Sequence, residues 1–171
     1  MMQMLVAGGI PALTDQIRTA DEDNPRGYFE FEAVKRTKHD PSWLGGADGK
    51  VVKMVHLLLY DLPQDRQYRV LFMRRNIREV LASQRKMLQR QGKPGAALPD
   101  EQLAAVFEDQ LRKLFGWLES RPNFAVLQVD YNALVSRPAE VIETINAFCG
   151  GTLSTAAMAA TIDPSLYRNR A

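Results

Sequence analysis

Apolar positions in this chain follow two periods, and the change of period marks its elements. Met1 to Ala7 carries a helical pattern that ends at Gly8-Gly9, a pair suited to a helix C-cap. Thr19 to Gly27 is acidic and turn-rich and reads as a loop. Phe29 to Thr37 reads as a short helix, and Gly45-Gly46 and Asp48-Gly49 as turns. Val51 to Val55 is expected to be a strand, and Leu57 to Leu62 a short helix stopped by Pro63. Tyr68 to Met73 has the aromatic and β-branched content of a buried strand, followed by a helix from Ile77 to about Arg90. Gln91 to Leu98 is a loop, and Pro99, suited to the first helical position, opens a long helix to about Ser120. In that helix Leu103, Val106, Phe107, Leu111, Leu114, Phe115 and Leu118 form one apolar stripe. Asn123 to Val129 is a third strand, Ser136 to Phe148 a helix closed by Gly150-Gly151, and about Ser154 to Ile162 a last short helix.

Strands alternating with helices imply an α/β fold: a three-layer parallel sheet with flanking helices and right-handed crossovers. No repeat, low-complexity segment or linker divides the chain, so residues 1–171 read as one domain. Ligands of such sheets bind beyond the carboxyl ends of the strands, which directs attention to the residues after Met73 and Val129.

Composition narrows the chemistry. A hydrophobic share of 46% with 25% charged residues is globular and argues against disorder or a coiled coil. The single cysteine, Cys149, excludes an internal disulfide, and with only His39 and His56 beside it a dedicated transition-metal site is not expected. No apolar run approaches a membrane span, and the opening MMQMLVAGGI lacks the basic start and cleavage site of a signal peptide. A cytoplasmic location is the expectation. The net charge of +2 conceals one cationic segment. Between Arg74 and Lys93 lie seven basic residues and the single acid Glu79. Such a segment suits an anionic partner or a solvated helix face.

The densest signal is VLFMRRNIREVLASQRK, residues 70–86. Arg75 stands where the strand ends, and Asn76 can cap the helix that follows. Ser83 lies about two helical turns beyond Asn76 and returns to the same face. A forked cation beside a neutral hydroxyl suits a phosphomonoester. The alternative is that Arg75 pairs with an acid of a neighbouring loop while Ser83 is a small packing residue.

The stretch Arg75 to Ser83 resembles the 3′-phosphate-binding segment of sulfotransferases that use 3′-phosphoadenosine 5′-phosphosulfate (PAPS), with Ile77 where that family usually has proline. In the family an arginine at the strand end and a serine eight positions later hold the nucleotide 3′-phosphate, and Arg75 and Ser83 match both. Tyr131-Asn132-Ala133-Leu134-Val135-Ser136-Arg137-Pro138 is similar to the family's Y-E-D-L-V-x-x-P, which implies an adenine contact for Tyr131. Asn24-Pro25-Arg26-Gly27-Tyr28-Phe29-Glu30 resembles the N-P-x-G-Y-x-E loop of bacterial members, near where the acceptor enters. VVKMVHLLLYDLP looks like the family's K-T-H-L-P segment, with His56 three residues after Lys53 instead of two. His56 is therefore the candidate base, with Glu30 and Glu32 as alternatives; Lys53 could contact the nucleotide, and Arg168 in the basic tail could fold over it.

The resemblance implies a P-loop nucleoside-triphosphate-hydrolase-like sulfotransferase fold. It also implies a glycine-rich loop of the form G-x-P-R-S-G-T-S/T for the 5′-phosphosulfate, and no such loop is present in the sequence. The expectation is a bacterial sulfotransferase truncated before Met1, without its first strand and phosphosulfate loop, through a mis-assigned start or as a genuine remnant. Its co-substrate would be PAPS, its acceptor a hydroxyl or amine, and no metal would take part. The competing expectation is a non-catalytic remnant that binds a nucleotide or other polyanion through the basic helix 74–93. Nucleic acid is the weaker partner, because no aromatic residues alternate with the cations of that segment. A kinase-like NTPase is disfavoured by the missing Walker lysine.

Overall fold

In the computed structural model, which describes residues 1–15, 17, 27–90, 92, 94–95 and 98–163, two parallel strands organise the chain. β1 (Tyr68–Arg74) pairs with β2 (Phe124–Asp130) in unbroken register, from Tyr68 opposite Phe124 to Arg74 opposite Asp130. Strand side chains alternate between faces. Tyr68, Val70 and Phe72 join Phe124 and Val126 on one face, and Leu71 and Met73 join Leu127 and Val129 on the other. Both faces are apolar, so both must be covered.

The first face packs on α3 (Asp100–Glu119) through Leu114 and Leu118. Two 3₁₀ segments, Ser42–Gly46 and His56–Asp61, add Leu44 and Leu59. Phe72 meets Phe115 edge-on at 4.9 Å, and Tyr68 stacks on Phe124 at 4.9 Å. The second face is covered by α1 (Met2–Ala7), α4 (Tyr131–Ser136), α5 (Pro138–Phe148) and α6 (Thr155–Ala160). Leu114 and Ile145, one from each core, are fully enclosed. Each such burial contributes about 1.5–3 kcal/mol. α1 ends at Gly8, where a Cβ would stand 2.8 Å from Cγ of the buried Met158 of α6; only glycine allows that approach.

α2 (Ile77–Arg90) follows β1 directly, and Asn76 caps it by accepting the Arg78 N–H at 2.9 Å. The helices at 77–90 and 100–119 and both long strands lie where the hydrophobic pattern puts them. Pro99 is the N-cap of α3 and not its first helical residue. The sequence expectation fails at three places. Val51 to Val55 is not a strand: only Val51 forms a bridge, with Ala12, and Val55 is 62% exposed. A β-rich composition needs a neighbour to pair with, and beyond the bridge at Val51 none lies alongside among the described residues. The helix read from Ser136 begins at Pro138, and a separate α4 precedes it, because the Asp130 side chain caps Tyr131–Ser136 by accepting the Ala133 N–H at 2.7 Å. The segment read as a helix from Phe29 is a 3₁₀ segment, Glu32–Arg36. Most of the loop expected at 19–27 falls outside the described residues.

Candidate functional site

β1 and β2 run parallel and end together, so the residues just past them are neighbours although 56 positions apart in sequence. The Arg75 guanidinium lies over the Tyr131 ring, 4.8 Å from its centroid. Its Nε donates to Glu79 Oε2 at 2.8 Å. Glu79 is one helical turn into α2, and its side chain is 3% exposed against 23% for Arg75. The cation is thus held by a buried carboxylate and by an aromatic face. A guanidinium fixed in this way presents a planar donor set, which suits a tetrahedral oxyanion.

Ser83 follows Glu79 by four residues on α2 and is half-buried, so Glu79 and Ser83 share one stripe of that helix. The alternative reading of Arg75 is met in a changed form. It does pair with an acid, but that acid lies on α2, the helix that follows it, and not on a neighbouring loop. Glu79 is the residue that the sequence reasoning missed. Its signal was the i,i+4 spacing from Arg75, which places two side chains on one helical face. Asn132, beside Tyr131, was also missed; its Oδ1 is buried with no hydrogen-bond partner among the described residues.

A second group of candidates lies apart from these. Glu30 is fixed through its main chain: its carbonyl accepts from Thr14 Oγ1 at 2.9 Å and from the Asp15 N–H at 3.2 Å. Its carboxylate is 3.6 Å from Lys53 Nζ, and that ammonium is 5.8 Å from the Tyr28 ring centroid. Glu32 is engaged with Lys35 at 2.6 Å, and its N–H is bound by Asp15. That N–H donor lowers the Asp15 pKa, so the carboxylate stays ionised. His56 opens the 3₁₀ segment His56–Asp61, and its Nε2 is buried without a hydrogen-bond partner among the described residues. His56 and Lys53 both line a cavity of about 1060 Å³ that does not include Arg75, Ser83 or Tyr131. The expected site therefore falls into two groups. Arg168, Lys93 and Asn24 to Arg26 lie outside the described residues.

The basic segment is less cationic than its composition suggests. Arg75 is paired with Glu79 and Arg85 with Asp100, and Lys86 and Arg90 also have partners. No helix among the described residues is long and apolar enough to cross a membrane, and no cluster of His, Cys, Asp and Glu there could hold a metal ion.

Residues 47–169 match the sulfotransferase domain family. The chain belongs to that family. No curated protein and no solved structure matches it. The matched stretch of this sulfotransferase-family chain includes His56, Arg75, Ser83 and Tyr131, whereas Glu30 and the loop at 24–30 precede it. Family membership accords with an α/β fold of the P-loop type, and the parallel strands joined through helices are consistent with it.

Proposed function

We propose that this chain is a sulfotransferase-like domain that binds PAPS by its 3′-phosphate and serves sulfuryl transfer to a hydroxyl or amine acceptor in the cytoplasm. The observation that carries the reading is the meeting of Arg75 with Tyr131. Two motifs more than fifty residues apart supply a cation and an aromatic ring to one place beyond the strand ends. Arg75 grips the 3′-phosphate, the Ser83 hydroxyl donates to it, and Tyr131 lies against the adenine, with Arg168 closing over the nucleotide. In the transfer, the acceptor oxygen or nitrogen bonds to sulfur while the bond from sulfur to the 5′-phosphate oxygen breaks. The acceptor proton passes to a base, and adenosine 3′,5′-bisphosphate leaves. His56 is the base in this reading, supported by a buried ring nitrogen with no partner; Glu30 is the alternative, and its pairing with Lys53 weighs against it. A free Cys149 suits a reducing compartment.

Calorimetry with adenosine 3′,5′-bisphosphate and adenosine 5′-monophosphate tests the reading. The bisphosphate should bind at least about tenfold more tightly, the scale of one hydrogen bond to a charged group. Arg75→Lys should remove most of that preference, since lysine keeps the charge and loses the fork. Equal affinity of the wild-type chain for the two nucleotides overturns it.

A further inference from the structure

α3 turns Leu114 and Leu118 to the sheet, and the opposite face of this helix is open among the described residues. Successive helical residues are about 100° apart, so Gln102, Val106, Asp109, Lys113, Gly116 and the C-cap Ser120 lie within about 40° of one line along that face. Two members of the line are unlike a solvated helix face. Val106 is a β-branched apolar side chain left 46% exposed. Gly116 stands in the interior of a 20-residue helix, where glycine is the least favourable residue after proline. A Cβ on Gly116 meets nothing within 4 Å, so no contact inside the described chain calls for a bare backbone there. Glycine in such a place suits the close approach of something from outside. Between these two lie opposite charges: Lys113 Nζ is 2.7 Å from Asp109 Oδ2. The line is also symmetric about Leu111. Asp109 and Lys113 stand two residues to either side of it, Val106 and Gly116 five, and Gln102 and Ser120 nine.

We propose that two copies of this chain associate through α3, with the two helices antiparallel about a two-fold axis beside Leu111. The symmetry of the line names the occupant. In this arrangement Val106 of each copy comes level with Gly116 of the other and enters the gap framed by Lys113, Gly116, Trp117 and Ser120, which the absent side chain leaves open. Trp117 gives that gap an apolar wall, and Tyr60, 39% exposed, leans on Trp117 with ring centroids 4.8 Å apart. Asp109 of each copy comes level with Lys113 of the other, so two opposite-charge pairs form across the axis. Arg112, which also pairs with Asp109, stands to one side of the line and stays with it when Lys113 turns to the second copy. A parallel pair would set Asp109 against Asp109, and Gly116 against Gly116 with a gap between them. The antiparallel pair also opposes the helix dipoles. An unrelated partner gives no reason for a face that complements itself, whereas an isologous contact requires one. The seam is one helix per copy, about 27 Å long, which is small for an interface and suits a dissociation constant in the micromolar range. The proposal stands independently of the nucleotide reading.

Sedimentation equilibrium of the full 171-residue chain tests this. The wild-type chain should pass from monomer to dimer as concentration rises and go no further, because the contact is closed. Gly116→Leu fills the gap while raising helix propensity, so helicity should hold and dimerisation should weaken at least about tenfold. Asp109→Lys and Lys113→Asp each set like charges across the axis and should weaken it by at least about tenfold as well. An equimolar mixture of these last two variants should recover the dimer, since every charge at the seam then meets its opposite on the other copy. That recovery separates lost pairing from lost folding. A wild-type chain that is monomeric at all concentrations overturns the proposal, as does a dimer that Gly116→Leu and Asp109→Lys leave unchanged. A mixture that stays monomeric overturns it too. Growth beyond two copies also overturns it, because the face that joins them is then not self-complementary.

Discussion

The two groups of candidate residues are built in opposite ways. Around Arg75 the contacts are close: a buried carboxylate at 2.8 Å one turn away, and an aromatic ring delivered by strand register. Around His56 the contacts are loose, with a 3.6 Å pair between half-exposed Lys53 and Glu30 and a buried ring nitrogen without a partner. The first group is organised before any ligand arrives, which lowers the ordering cost of binding. The second lines a separate cavity, and its ion pair is longer and more exposed.

Removing single side chains sharpens this contrast. Arg75→Ala removes the ion-pair partner at 2.8 Å from a carboxylate that is 3% exposed, and denaturant unfolding should show a loss of up to about 3–5 kcal/mol. Replacing Arg75 and Glu79 together by methionine should recover most of it, since an apolar pair leaves no buried charge. A small loss for the single variant would mean that the two groups are equally loose. His56→Leu should go the other way. It removes a buried nitrogen that has no partner, so stability should hold or rise by about 1 kcal/mol. A loss above that size would show that Nε2 is satisfied after all and that the contrast is false. Lys53→Met should change stability by less than about 0.5 kcal/mol, because its pair with Glu30 is long and its side chain is 46% exposed.

The smallest effect concerns the rim of the same cavity. Burial raises the Cys149 pKa, and the weaker pull of Arg69 in the other direction does not cancel it. A raised thiol pKa keeps the neutral form at physiological pH. It contributes stability below the ordinary thiol range and loses it as pH rises through the folded-state value. Alkylation by iodoacetamide should therefore be slower than for a model thiol at neutral pH, and should accelerate only above the usual thiol range.

Much of this was legible in the residues. Asn76 as a cap, the 77–90 and 100–119 helices, and the strands at 68 and 124 follow from period and punctuation, which are local properties. Arg75 as a strand-end cation was legible for the same reason, and Glu79 could have been found from its spacing alone. Tyr131 was legible as a motif residue, but its place over Arg75 was not, because that contact depends on which strand lies beside β1 and in what register. Val51 to Val55 misled because its composition suits a strand, whereas among the described residues only Val51 finds a partner, at Ala12.

The sequence by itself determined the long helices, the two paired strands and the family to which the chain belongs, since these rest on residue type and short-range spacing. Tertiary structure alone decided the partnership of Arg75 with a ring 56 positions away and the burial of the His56 nitrogen. Each of these depends on the packing of distant segments, and pairing and burial are set by what lies across a gap, not by what precedes it in the chain.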